Sequence, residues 1–138
     1  AESPYGETKQ LCEKMLKEDS CNSVALRYFN PIGSHKSALI GDCSADKPSN
    51  LVPIMTEVAI GKRERIIVFG DDYTTADGTC IRDYIHVADL AEAHLLAANA
   101  LEHNDTIVYN LGSGRGYSNQ EIIEMARVPQ SIKSLYVN

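Results

Sequence analysis

The chain has 138 residues, of which 43% are hydrophobic and 23% charged, ordinary values for a globular chain of one-domain size that exclude disorder as the default. Thirteen Lys and Arg against nineteen Asp and Glu leave a formal charge of −6, with no basic run longer than Lys62-Arg63-Glu64-Arg65. Nucleic acid, whose binding depends on Lys and Arg neutralising phosphates, is excluded as the expected partner. No stretch approaches the roughly 20 apolar residues that span a bilayer, so no membrane is expected. Ala1-Glu-Ser-Pro-Tyr5 lacks the basic and apolar segments of a signal peptide. Cys12, Cys21, Cys43 and Cys80 are too scattered for a disulfide scaffold and suit a reducing compartment. These features predict a soluble, cytoplasmic chain.

Ser3 as N-cap and Pro4 at the first helical position predict a helix to about Asp19, with Leu11, Met15 and Leu16 at helical spacing. Ser23 to Phe29 reads as a buried strand, ended by Asn30-Pro31-Ile32-Gly33. Residues 33–49 are rich in Gly, Ser, Asp and Pro and read as a long loop, and such loops are usually functional. Asn50 or Ser49 caps a helix carrying Leu51, Ile54, Met55, Val58 and Ala59, closed by Gly61. Ile66–Phe69 is a short strand, Gly70–Gly78 a polar loop, and Ile81–Ile85 a second extended piece. A helix from about Val87 to Glu102, a strand from Ile107 to Leu111 and a turn at 112–116 follow. Ser118-Asn-Gln-Glu121 is a capping box that starts a last helix. Val128–Asn138 has too little periodicity to assign. Helices alternating with strands predict an α/β arrangement on a parallel sheet. With only three or four strands legible, the chain reads as part of a doubly wound domain.

Tyr5 and Lys9, at i and i+4, project from one helix face about one turn apart. Tyrosine is a poor base at neutral pH, and a lysine one turn away favours phenolate, which makes proton exchange with a substrate hydroxyl feasible. By spacing alone, an exposed Tyr-Lys pair on the helix surface is the favoured reading, because such pairs are common.

Further segments bear on that choice. Ser3-Pro-Tyr-Gly-Glu-Thr-Lys9 resembles the Tyr-x-x-x-Lys signature of the extended short-chain dehydrogenase/reductases. The segments Leu26–Gly33, Asn50–Pro53, Val68-Phe-Gly70, Asp77–Val87, Asp89-Leu90 and Tyr109–Gly114 resemble, in order, the UDP-glucose 4-epimerase branch. The resemblance covers residues 1–127 and implies a Rossmann-like doubly wound parallel sheet plus part of a smaller substrate-binding domain. Residues 1–32 would close the NAD-binding domain, 33–127 would mix substrate domain and sheet, and 128–138 would be an unassigned tail.

The resemblance also implies roles. Tyr5 would be the catalytic acid/base and Lys9 its electrostatic helper, with both against the nicotinamide ribose of NAD. Phe29 would approach the nicotinamide, whose hydride chemistry belongs to the cofactor. Asn30, Asn50 and Leu51 would contact the diphosphate side of a UDP-sugar, and Ile67 and Phe69 would flank the uracil. Arg82 would clamp a phosphate, for which a guanidinium fork is suited. The complete protein would be a homodimeric isomerase of galactose metabolism. By periodicity alone, Phe29, Ile67 and Phe69 are core residues and Arg82 is an ion-pair partner of Asp83.

A dinucleotide fold also uses a Gly-rich turn, an acidic ribose ligand and a half-sheet before the tyrosine. These lie outside the 138 residues, as does the family's catalytic Ser/Thr, so the chain reads as an internal or C-terminal-half fragment, inactive alone. Another nucleotide-sugar epimerase, a dehydratase, or a silent fragment that only binds or assembles are the rival readings. Gly112-Ser-Gly-Arg-Gly116 imitates a phosphate-binding fingerprint with the wrong spacing and is read as a structural turn. His86 and His94 stand about 80° apart on a helix, with no nearby cluster, so no metal is expected.

Overall fold

The computed structural model describes residues 3–19, 22–42, 48–101, 106–126 and 134–137, the last four as backbone. Helix α1 (Pro4–Glu18) starts at Ser3, whose hydroxyl accepts the Gly6 amide at 3.1 Å. None of its residues is buried. It is held to the strand that follows, β1 (Ser23–Tyr28), by a two-pronged ion pair. Arg27 Nε and Nη2 reach the two carboxylate oxygens of Glu13 at 2.6 and 2.5 Å. The Thr106 hydroxyl also donates to the Leu16 carbonyl. β1 was expected to be buried; its first four residues are half-buried and Arg27 and Tyr28 are exposed.

The turn expected at Asn30–Gly33 is partly a strand. β2 (Asn30–Ile32) leaves β1 at Phe29 and joins a different sheet. Among the described residues of 33–49, no helix or strand forms. Helix α2 (Leu51–Ala59) carries Leu51, Ile54, Met55 and Val58 along one stripe and is closed by Gly61 at φ +76. Asn50 occupies its N-cap position, but its side chain makes no cap hydrogen bond. In β3 (Ile66–Phe69), alternation turns Ile66 and Val68 inward and Ile67 and Phe69 outward. β4 (Ile81–His86) leads directly into α3 (Val87–Asn99), and the His86 ring accepts the Ala88 amide at the junction. That helix ends short of the expected Glu102, which lies outside the described residues.

β5 (Thr106–Leu111), β6 (Gly116–Ser118), α4 (Asn119–Met125) and β7 (Ser134–Val137) complete the chain. The capping box forms in full: Ser118 Oγ accepts the Glu121 amide at 3.1 Å, and the Glu121 carboxylate accepts the Ser118 amide at 2.7 Å. Neither β6 nor β7 was legible in the sequence, and residues 128–133 of the unassigned tail lie outside the described ones. With β2 they bring the strands to seven among the described residues, against the three or four expected.

The strands form three small sheets, β1-β5, β2-β4-β6 and β3-β7. Three of the four pairings are parallel, and β4–β6 is antiparallel. This is the expected α/β arrangement with one antiparallel edge. Met55, Val58, Ile66 and Val68 form the buried core, with Leu51, Ile54, Ile122 and Ile123 packed on it. Full burial of such a side chain contributes about 1.5–3 kcal/mol, so this cluster fixes α2, β3 and α4 against one another. It forms the floor of the site.

Candidate active site

A cavity of about 300 Å³ opens where β2, α2, β3 and β4 meet. Asn30, Asn50, Leu51, Ile67, Phe69 and Arg82 all line it, together with Cys80, Tyr84 and Asn119. All six residues expected on the substrate side therefore share one cleft. A second hollow of about 630 Å³ shares Pro31, Ile32, Val52 and Pro53 with the first, but none of the expected site residues lines it.

Along β3, exposure alternates: Ile67 and Phe69 are 44% and 76% exposed in this chain while Ile66 and Val68 are buried. Among the described residues, Arg82 and Asp83 have different partners. The Arg82 guanidinium donates to the Ile81 carbonyl at 3.0 Å, while the neighbouring Asp83 carboxylate faces the turn after β5. Successive residues of a strand point to opposite faces, so β4 sends a cation into the cleft and an anion the other way. Asn30 spans to β4 by donating its side-chain amide to the Asp83 carbonyl at 2.8 Å.

Tyr84 and Asn119 also line the cleft, though sequence reasoning did not single them out. Tyr84 lay within the Asp77–Val87 segment, where its alternation with Arg82 was the available signal. Burial lifts its phenol above the ordinary tyrosine range; Cys80 adds to this and the Arg82 cation opposes it. Cys12 and Cys80 are free thiols; Cys21 and Cys43 lie outside the described residues.

Tyr5, Lys9 and Phe29 lie outside the cleft lining. The Lys9 ammonium stands over the Tyr5 ring, 5.3 Å from its centroid, and Tyr5 is 72% exposed. The pair is therefore accessible from solvent at the start of α1. Phe29 is half-exposed at the point where the chain passes from the β1-β5 sheet to the β2-β4-β6 sheet, and its amide donates to the Leu111 carbonyl. It abuts Gly112: a Cβ there would lie 2.4 Å from the Phe29 ring and 2.5 Å from the Asp83 carboxylate.

The turn at 112–116 is structural, and its donors are already used. Ser113 donates its amide and hydroxyl to Asp83 Oδ1 at 2.8 Å each, and the Gly114 amide donates to Oδ2 at 3.0 Å. Among the described residues no group of three His, Cys, Asp or Glu converges as metal ligands would. His86 is instead a helix cap, and His94 donates to the Leu90 carbonyl. No helix among the described residues is long and apolar enough to cross a membrane.

Parallel strands linked through helices, a Tyr-x-x-x-Lys helix and a cleft at a strand switch define an α/β protein of the short-chain dehydrogenase/reductase type. The comparisons narrow this. The NAD dependent epimerase/dehydratase family matches residues 1–112, and the chain belongs to that family. It is 48% identical over 131 residues to the UDP-glucose 4-epimerase of Dictyostelium discoideum, covering 89% of this chain and 38% of that protein. It is 49% identical over 129 residues to the Mus musculus enzyme of the same name, covering 88% and 37%. The Bifidobacterium longum UDP-glucose 4-epimerase in complex with NAD+ and UDP superposes with a TM-score of 0.91 at 40% identity, over 98% of this chain and 42% of that one. The chain thus spans well under half the length of these relatives.

Proposed function

We propose that the protein carrying these residues is a cytoplasmic, homodimeric, NAD-dependent isomerase that interconverts UDP-glucose and UDP-galactose at sugar C4. The observation that carries this reading is the single cleft shared by Asn30, Asn50, Leu51, Ile67, Phe69 and Arg82. It combines exposed apolar walls suited to a base with a guanidinium suited to a diphosphate.

The residues present fit the nicotinamide end of the cofactor. Phe29 offers a half-exposed ring beside Gly112, where a Cβ would intrude, and Tyr5 and Lys9 are open to solvent. The 112–114 turn is not a cradle for the pyrophosphate, because Asp83 already takes its amides. NAD bound there would supply the reversible hydride exchange that inversion at sugar C4 requires.

The remaining tasks fall to the chain itself. The Tyr5 phenolic oxygen takes the proton of the 4-hydroxyl and later returns it, with the Lys9 ammonium stabilising the charged form. Arg82 and Asn30 hold the diphosphate while the sugar turns, and Ile67 and Phe69 hold the base. Such anchoring away from the reacting centre keeps the nucleotide in place when the sugar is released.

The direct test is incubation of the full-length protein and NAD with UDP-galactose, read by proton NMR. Accumulation of UDP-glucose to a fixed ratio from either side is the expected result. A 4-keto-6-deoxy product would assign the protein to the dehydratases of the same family, and no conversion with bound UDP-sugar would leave a binding role.

A further inference from the structure

We propose that Asp83 is a positioning residue for the cofactor side of the site, holding Phe29 in place by tying the turn after β5 to β4. The inference rests on the function proposed above and extends it to a residue that touches neither sugar nor cofactor.

The topology sets the problem. β1 pairs with β5 and β2 pairs with β4, so the chain changes sheets at Phe29. The two sheets diverge from that residue, and ligands of open α/β folds bind in such crevices. Something must set how far the sheets part. The hydrogen bond from the Phe29 amide to Leu111 holds the backbone at the end of β1–β5, but it does not reach the other sheet.

Asp83 makes that connection. It lies on β4, and its carboxylate accepts three hydrogen bonds from Ser113 and Gly114, thirty residues and more along the chain, just after β5. Gly112 is exposed but flanked by the Asp83 carboxylate and the Phe29 ring, and a Cβ there would lie 2.5 and 2.4 Å from them. The order Asp83, Gly112, Phe29 is a stack in which the carboxylate seats the turn and the turn backs the ring. Charge-assisted bonds to backbone amides are stronger than neutral ones, which suits a tie that resists opening. Arg82 is the next residue on the same strand and faces the cleft, so one strand sets both the phosphate grip and the position of Phe29.

The test uses the full-length protein. Asp83→Asn keeps the size but loses an acceptor, so an amide N–H faces a backbone N–H at one of the two positions. Hydrogen exchange by mass spectrometry should show the 112–116 segment exchanging about tenfold faster than in the parent. The kcat for UDP-galactose should fall about tenfold while KM stays within about twofold, the signature of misplacement at the reacting end. Ser113→Ala, which removes one of the three bonds, should move both readouts in the same direction by a smaller factor. It decides the matter if Asp83→Asn fails to fold. Unchanged exchange in the turn, or a raised KM with intact kcat, overturns the proposal. If the parent protein does not interconvert UDP-hexoses, the functional reading fails, while the exchange readout still decides whether Asp83 holds the turn.

Discussion

The Asp77 carboxylate accepts the hydroxyl of Ser118, 41 residues away, and so fastens the loop before β4 to the start of α4. Its other oxygen accepts the amide and hydroxyl of Thr79, each at 2.8 Å, and the Gln120 amide donates to the Thr79 hydroxyl. Thr79 and Ser118 are both buried. Ser118→Ala removes the N-cap of α4 and one partner of Asp77 together, and the loss of the cap alone costs about 1 kcal/mol. Chemical denaturation should show at least that loss, whereas Ser118→Thr, which keeps a capping hydroxyl, should retain most of the stability.

The same carboxylate makes stability pH-dependent. The Ser118 hydroxyl, and then the Thr79 amide, hold Asp77 below its ordinary value of 3.8, against the opposing effect of burial. A depressed native pKa means that the folded state binds fewer protons than the unfolded one. The stabilisation is therefore fully present above the unfolded value and is lost as pH falls through the native one. Glu13, Glu57 and Asp83 are shifted in the same direction. Thermal midpoints followed from about pH 6 down to about pH 3 should fall for the parent and fall less steeply for Asp77→Asn. Equal slopes would show that this carboxylate is not one of the groups responsible.

Gly78 and Gly61 have nearly the same left-handed backbone, φ +75 and +76, but different surroundings. A Cβ on Gly61 meets nothing within 4 Å, whereas one on Gly78 would lie 1.9 Å from the Asp71 carbonyl oxygen. Gly61→Ala should cost about 1–2 kcal/mol, the penalty for an L-residue in that region. Gly78→Ala should cost clearly more, since a backbone carbonyl cannot swing aside as a side chain can. Equal losses in paired denaturation curves would mean that the 70–78 loop opens to accommodate the methyl group.

Elements that carry their own signal were legible in the sequence. α1 announces itself by Ser3-Pro4, α2 by the Leu51–Val58 stripe, and α4 by its capping box. β2 and β6 have three residues each and β7 four, too short for alternation to register, and they exist only through pairing with distant strands. The candidate substrate residues were legible only by resemblance, because Ile67 and Phe69 are apolar and periodicity alone assigns apolar strand residues to the core. The ties from Asp77 to Ser118 and from Asp83 to Ser113 and Gly114 were missed for a related reason: they span at least thirty residues, which no local pattern reports.

Arg82 offers a clean separation of binding from folding. It is exposed, and its guanidinium donates to the Ile81 carbonyl of the preceding residue, so its replacement should leave the thermal midpoint unchanged. Lysine keeps the charge but loses the fork that spans two phosphate oxygens. Hydrogen bonds to charged groups contribute about 1.5–3 kcal/mol, so Arg82→Lys should weaken UDP binding by at least about tenfold. Isothermal titration with UDP alone reads this without turnover. Unaltered affinity would remove Arg82 from the phosphate side of the cleft.

Leu11 and Met15 are 58% and 62% exposed on α1, with no buried residue anywhere on that helix. An apolar stripe left open on a surface helix is expected to meet another apolar surface. In the proposed homodimer that surface is the same helix of a second copy. Leu11→Glu in the full-length protein should shift sedimentation toward the monomer while leaving the fold intact by circular dichroism. An unchanged sedimentation coefficient would assign the stripe to packing within one protomer.

The sharpest prediction concerns the phenol at the start of α1. Tyr5→Phe removes one oxygen, and neither the Ser3 cap nor the Glu13–Arg27 ion pair depends on it. The ring that the Lys9 ammonium overlies is also kept. Helix and stability should therefore survive unchanged. If the oxygen carries the proton of the sugar 4-hydroxyl, turnover should fall by about 10²–10⁴, the range for losing a positioned acid/base. UDP affinity should be unaffected, because the cleft residues are untouched. Lys9→Met should reduce turnover in parallel and also loosen the cofactor, measurable as NAD released on gel filtration, if one ammonium serves both the phenolate and the ribose as proposed. Near-normal turnover in Tyr5→Phe would reduce the pair to a surface tyrosine and lysine in cation–π contact, and proton transfer would have to be sought elsewhere in the protein.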